Sequence, residues 1–192
     1  MAGRRSDTRE RIQQVALDLF VHQGYEKTSL REIAERLEVT KAALYYHFRT
    51  KEDIVASLLD DLAASVDEVL EWARAQEDPA GTRQELIRRL AALIGGRYGA
   101  VMRLWQENQP ALKDFHDRNP LVARMKELMT IITAGERDPA ALLRGRLALA
   151  ALVMGNAPQM WEDTPVEEPG KVALEVALDL VSPRGRPAGD AT

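Results

Sequence analysis

With 192 residues, 45 % of them apolar and 29 % charged, the chain is long enough for one or two small domains with a real core and too apolar for wholesale disorder. It has no cysteine, which excludes disulfides, thiolate metal sites and cysteine nucleophiles and fits a reducing cytoplasm. The net charge of −4 is unevenly spread: residues 1–51 hold ten Lys/Arg against seven Asp/Glu, a net of +3, and residues 52–192 hold sixteen against twenty-three, a net of −7. A basic head on an acidic body is the asymmetry expected when the head alone meets a polyanion, although chance scatter of charge can give a head of this size.

Helical periodicity begins near the N-terminus. Ile12, Val15, Ala16, Leu19 and Phe20 recur at helical spacing, with Ser6 or Asp7 placed to cap the start and Gly24 placed for a left-handed C-cap. Before this helix, Arg4 and Arg5 are either a minor-groove arm or part of a solvated tail. No apolar run follows those arginines, so no secretory signal is read there. Next, Leu30, Ile33, Ala34 and Leu37 share one face, and Ser29 and Glu32 are spaced as a capping box. Thr40 then opens a short helix, and from Lys51 a long one keeps Ile54, Val55, Leu58, Leu62, Val66 and Leu70 in register, roughly 37 Å if it runs to about residue 75.

The segment Glu77–Gly81 breaks the pattern as a turn between head and body. Further helices are predicted at about 82–95, 99–107 and 118–134. Asp138 and Pro139 read as N-cap and N1 of another, which reaches to about residue 155. A connection broken by Gly155, Pro158, Pro165, Pro169 and Gly170 precedes a last helix over Lys171–Val181. The expectation is an all-α chain of about nine helices, with no run that needs a strand. Its divisions are a three-helix helix-turn-helix head at 1–51, a helical body at 52–181 and a disordered tail at 182–192. The longest nearly uncharged apolar run, Leu147 to Gly155, is far too short to span a bilayer.

The stretch from Val39 to Lys51, VTKAALYYHFRTK, carries the functional signal. Two helices joined by a turn of about three residues, the second short and polar on one side, form a helix-turn-helix. Ile33 and Leu37 would lie beneath the second helix, Leu44 would be buried, Ala43 would permit close approach and Phe48 would plug the junction to the long helix. Thr40, Lys41, Ala42, Tyr45 and Tyr46 then face outward. Small Ala42 lets the helix settle into a major groove, Lys41 suits guanine O6 and N7, and tyrosine hydroxyls suit phosphates. A generic two-helix corner explains the apolar positions equally well, but not this outward set. Lys51 opens the long helix, where its ammonium and the free N–H groups would hold one phosphate together.

The run TSLREIAERLEVTKAALYYHFRTKEDI resembles the DNA-binding head of the TetR family of bacterial transcriptional regulators, through Thr28, the Ile33–Ala34 pair, Leu44–Phe48 and Lys51 at fixed spacing. The resemblance covers roughly the first third of the chain. It implies DNA contacts by Thr28, Ser29, Thr40, Lys41, Ala42, Tyr45, Tyr46, His47 and Lys51. His47 could equally cap carbonyls at its helix end. One position departs from the family: Glu38 stands in the turn where glycine is common. If that backbone needs a positive φ, Glu38 costs on the order of 1 kcal/mol.

The resemblance also implies a homodimer, a four-helix interface made by the last two helices, a palindromic double-stranded operator and a small-molecule effector. Gly145, Ala148, Ala151 and Gly155, with Val172, Val176 and Leu180, are the candidate interface, or else an intramolecular core face. Leu62, Met102, Trp105, Phe115, Met125, Met129 and Met154 are candidates for an adaptable apolar pocket, or else ordinary core. Glu107, Asn108 and Asp114 could receive a polar ligand group, or be surface. Paired acids such as Asp60–Asp61 read as solubilising.

Enzyme chemistry lacks its parts. His22, His47 and His116 are scattered, and the sequence has no H-E-x-x-H, no G-x-S-x-G and no glycine-rich phosphate loop. No cofactor, metal or membrane partner is expected. The reading is a ligand-released repressor whose effector tilts the Lys51–Ala75 helix. Two alternatives stay open: a dimeric small-molecule carrier with a non-specific head, and a DNA-binding regulator without an effector.

Overall fold

The computed structural model describes residues 2–108, 112 and 119–182, with backbone alone at 2–6 and 97. Asp114, Phe115, His116, the side chains of Arg4 and Arg5 and the tail beyond Ser182 lie outside the described residues. Nine α-helices and one 3-10 turn occur among the described residues, and no strand. They are α1 (Ala2–Gln23), α2 (Leu30–Arg36), α3 (Lys41–His47), α4 (Lys51–Arg74), α5 (Pro79–Gly95), α6 (Arg97–Glu107), α7 (Leu121–Ile132), α8 (Pro139–Met154) and α9 (Pro169–Val181), with the 3-10 turn at Pro158–Trp161.

Most helix ends follow the sequence signals. Gly24 has φ +93° after α1. Ser29 and Glu32 form the reciprocal capping box of α2, and Asp138 accepts from Ala140 and Ala141 at the start of α8. The start of α1 does not follow them. The helix begins at Ala2 rather than at a cap on Ser6 or Asp7 and runs through Gly3. Asp78–Pro79, inside the expected linker, is instead the N-cap and N1 of α5.

The chain forms two compact units, Met1–Ser65 with Arg97–Val122, and Val66–Gly96 with Ala123–Thr192. The expected head at 1–51 lies inside the first. That unit has a continuous core in which Ile12, Ala16, Leu17 and Phe20 of α1 meet Ile33, Leu44, Phe48, Ile54, Leu58, Val101 and Leu104. Burial on α1 is therefore centred one position away from the expected stripe: Leu17 is buried, whereas Val15 and Leu19 are only partly so, because α1 packs on α6 as well as α2. The same face buries Gln13, whose Nε2 donates to Ser57 Oγ at 2.9 Å and to Asp61 Oδ2 at 2.8 Å. Asp61 is thus an acceptor for a buried amide, and only Asp60 of that pair is a fully exposed acid.

In the second unit α8 packs on α9 and α5. A Cβ built on Gly155 would stand 2.6 Å from Ala173 Cβ, so the glycine is what lets α8 and α9 approach. Leu128, Ile132, Leu149, Leu152, Ala173, Ala177 and Val181 complete this core. No helix among the described residues is long and apolar enough to cross a membrane.

Candidate nucleic-acid interface

The turn between α2 and α3 is built by backbone hydrogen bonds. Val39 N–H donates to Ala34 O at 3.0 Å and Glu38 N–H to Glu35 O at 3.1 Å, the paired bonds of a Schellman ending. That ending requires a left-handed residue after the cap, and Glu38 supplies it at φ +56°. The positive φ expected of a family glycine is therefore present here on a glutamate.

Thr40 starts α3, its Oγ1 accepting from Ala43 N–H at 3.2 Å, and Phe48 closes it, donating to Leu44 O at 3.0 Å. Leu44 is fully buried and Phe48 is 2 % exposed. Burial of two such side chains contributes on the order of 3–6 kcal/mol. This anchors a helix only seven residues long, which would not persist alone in water. Ala43 does not take part in the packing. It is exposed, and the close approach expected of it is made through Leu44.

On the outer side Thr40, Lys41, Ala42, Tyr45 and Tyr46 are all exposed, Tyr45 by 47 % and Tyr46 by 67 %. His47 is half-buried, with its ring edge-on to Tyr46 at 5.3 Å. Lys41 has no ion-pair partner among the described residues.

The other three expected DNA contacts are placed differently. Thr28 is 2 % exposed, and its hydroxyl donates to Gly24 O at 2.8 Å and accepts from Gln23 Nε2 at 3.2 Å. Ser29 is exposed, with its hydroxyl engaged by Glu32 in the capping box. Lys51 is half-buried and directed inward, Nζ donating to Tyr25 O at 2.7 Å and to Glu26 O at 3.4 Å and standing 4.4 Å above the Tyr25 ring. Beside it the Tyr25 hydroxyl donates to Glu52 Oε1 at 2.7 Å. Burial, then the Glu52 carboxylate, push the Tyr25 hydroxyl well above its ordinary range. Burial alone would raise Glu52, but hydrogen bonds from Tyr25, its own backbone and Thr50, with the charge of Lys51, hold it below the usual carboxylate range.

Residues 12–58 match the family model described as bacterial regulatory proteins, tetR family. The stretch 12–58 is thus a TetR-family head. Over 83 residues it is 37 % identical to the HTH-type transcriptional regulator AcrR of Shigella flexneri, an alignment covering 42 % of this chain and 39 % of that protein. Over 189 residues it is 27 % identical to the HTH-type transcriptional regulator TcmR of Streptomyces glaucescens, covering 92 % of this chain and 83 % of that protein. Among solved structures, the TetR-family transcriptional regulator PfmR of Thermus thermophilus superposes with a TM-score of 0.69 at 25 % identity, over 89 % of this chain and 96 % of that one. The TetR-family likeness thus includes an all-helical body behind a helix-turn-helix head.

In the body, Gly145, Ala148 and Gly155 of the small-residue stripe are buried inside the chain, Gly145 against Ile132 and Gly155 against Ala173. Ala151, Val172, Val176 and Leu180 instead line an apolar groove of about 360 Å³, shared with Leu147, Met154 and Met160. Leu143, Leu147 and Met154 form an exposed stripe on α8, and Val176 is exposed on α9. Met154, a candidate for a ligand pocket, therefore belongs to this surface.

Leu62 and Trp105 are buried in the first unit and Met102 is half-buried there; Met125 is exposed and Met129 half-buried on α7 in the second. Sequence reasoning missed a cavity of about 470 Å³ lined by Arg83, Glu136, Asp138, Arg144, Ile132 and Leu180 among others. Arg83 pairs with Glu136 at 2.7 Å, its Nε is buried without an acceptor, and Arg144 has no partner among the described residues. No group of three or more acids or histidines suited to a metal ion occurs among the described residues.

Proposed function

We propose that the chain is a homodimeric cytoplasmic repressor that reads a palindromic operator through α3 and is released from it by a small molecule. The observation that carries this reading is the outer face of α3. Lys41, Ala42, Tyr45 and Tyr46 stand in solvent on a helix whose other side is locked by Leu44 and Phe48. Two tyrosines this exposed contribute little to the fold, and a major groove admits a helix that carries them beside a lysine and an alanine. Lys41 reads a base edge, Tyr45 and Tyr46 hold phosphates, and Thr40 and His47 flank them. Two such helices in a dimer reach half-sites about one helical turn apart.

Dimerisation is supported by the groove between α8 and α9, whose exposed Leu147, Met154, Met160 and Val176 are apolar side chains that water disfavours. Release by a ligand is supported by the cavity at Arg83 and Arg144, which is within the range that holds small molecules and suits one bearing acceptor oxygens. The α4 helix, continuous from Lys51 to Arg74, has residues in both compact units and would carry the signal. An effector releases DNA only by binding the DNA-incompetent state better; a five- to hundredfold change corresponds to about 1–3 kcal/mol of coupling. The role is regulatory and not catalytic.

Selection of bound sequences from a random duplex pool at physiological salt tests this reading. A palindromic consensus with two half-sites is the expected result. A folded dimer that enriches nothing would instead be a small-molecule carrier.

A further inference from the structure

Lys51 looked from the sequence like a phosphate ligand at the start of α4, and the structure gives that position other work. Its ammonium is held by two carbonyls of the α1–α2 turn and by the Tyr25 ring. The helix end it was to share is also occupied. Asp53 Oδ2 accepts from the backbone N–H of Arg49 and of Thr50, each at 3.0 Å, and Thr50 Oγ1 accepts from Asp53 N–H at 3.1 Å. Glu52 and Asp53 place two carboxylates in the first turn of α4, which opposes a phosphate there.

The same contacts tie two chain segments together. Lys51 Nζ holds the carbonyls of residues 25 and 26, and Tyr25 reaches back to Glu52. Each tied segment carries one exposed cation without an ion-pair partner among the described residues: Lys27 on the first, Arg49 on the second. Lys27 stands two positions before the Ser29 cap of α2, and Arg49 directly follows the Phe48 that closes α3. The two cations therefore ride on segments joined to one another at the C-terminal end of α3.

We propose that Lys27 and Arg49 hold backbone phosphates of duplex DNA beside α3, and that Lys51 is a positioning residue that fixes the two segments carrying them. This rests on the reading of α3 as the DNA-reading helix. Lys51 with Tyr25 and Glu52 sets where the cations stand, and two side chains that the family resemblance did not single out supply the charge.

The test is the salt dependence of DNA binding by the full-length protein, on the duplex selected above and on a mixed-sequence duplex of equal length. Each phosphate contact contributes about 0.9 to the slope of log K against log salt. Lys27→Ala and Arg49→Ala, both exposed and without consequence for the core, are each expected to lower the slope by about 1.8, because each removes one contact in both heads of the dimer. Adding Lys51→Met to the double variant is expected to lower it no further, because Lys51 acts only through the pair. Slopes unchanged in both single variants overturn the proposal. So does a further fall of about 1.8 on adding Lys51→Met, which would make Lys51 a phosphate ligand in its own right in each head. Wild-type protein that binds both duplexes equally would sink the sequence-reading function itself, while the slopes of the variants would still decide whether Lys27 and Arg49 hold phosphates.

Discussion

The Tyr25 hydroxyl and the Glu52 carboxylate meet at 2.7 Å across twenty-seven residues of sequence, joining the α1–α2 turn to the first turn of α4. Hydrogen bonds hold Glu52 below the usual carboxylate range despite its partial burial, so the folded state favours its charged form. Stability from this group is present above the unfolded carboxylate value, about 4.3, and is lost as pH falls through the lower folded value. Glu52→Gln should therefore lower the melting temperature at pH 7 and flatten its decline below about pH 4.3 relative to wild type. Tyr25 has the opposite sign. Its raised value favours the neutral phenol, and that stability is lost as pH rises above about 10. Melting curves from pH 3 to 7 check the acid limb; parallel declines in the two proteins would mean that Glu52 titrates alike folded and unfolded.

Glu38 holds a left-handed conformation because the Schellman bonds of Val39 and Glu38 demand it, not because its side chain favours it. Glu38→Gly removes the Cβ conflict, at the cost of a freer unfolded chain, and should stabilise the protein by about 0.5–1 kcal/mol. The urea midpoint should rise with an unchanged slope, and operator affinity should stay within about twofold, since the turn already has the required geometry. A fall in stability would show that Glu38 makes a compensating interaction.

The helix-turn-helix was legible because its signals are local. Ser29 with Glu32, Thr40 and Gly24 act within a turn of where they stand, and Leu44 sits on a helix whose only apolar face it commands. What was missed depends on distant chain. Nothing near Lys51 announces that the carbonyls of residues 25 and 26 will receive its ammonium. Nor does anything near Gln13 announce that Ser57 and Asp61 of α4 will accept from its amide. In the body, small residues and methionines signal close packing or adaptable surface but not the partner. Gly155 therefore turned inward to Ala173 while Met154, its neighbour, turned out. Asp78–Pro79 is the instructive local case: the pair caps α5 as Asp138–Pro139 caps α8, although it stands inside the segment Glu77–Gly81 that breaks the helical pattern.

Lys41 and Tyr46 should separate base reading from phosphate holding. Lys41→Ala is expected to relax preference at one base pair of each half-site by about 1–3 kcal/mol if its contact is bidentate. Tyr46→Phe should weaken binding to all duplexes alike, because it removes a phosphate donor and leaves the ring. Competition binding against single-substitution operators reads both. A Lys41→Ala protein with unchanged affinity and unchanged preference would mean that α3 docks on another face.

Gly155 and Gly95 give a paired test of why α8 approaches α9. A side chain at Gly155 meets Ala173 Cβ at 2.6 Å and Ala151 O at 2.7 Å, neither of which can rotate away. Gly155→Val should cost about 2–3 kcal/mol by overpacking. Gly95, the last residue of α5, has nothing within 4 Å of a built Cβ, so Gly95→Ala should be neutral or stabilising by up to about 1 kcal/mol. Urea unfolding of both variants separates a packing requirement at Gly155 from a general dislike of substituted glycines.

Leu147 and Val176 stand on the α8 and α9 walls of the apolar groove, 46 % and 45 % exposed. If a second copy covers that groove, Leu147→Asp or Val176→Asp buries a carboxylate against an apolar partner surface and, by symmetry, does so twice in each dimer. Dimer dissociation should strengthen by tenfold or more, about 1.4 kcal/mol or above, while the monomer loses little because both sites are surface-exposed in it. Sedimentation over a concentration series reads the dimer, and melting of the dilute protein reads the monomer. Operator affinity should fall with dimerisation, since a single head holds one half-site. Glu175→Gln, one position from Val176 and exposed, is the control expected to change none of these. A dimer that survives both aspartates would place the association of copies on another surface and leave the groove to a different occupant.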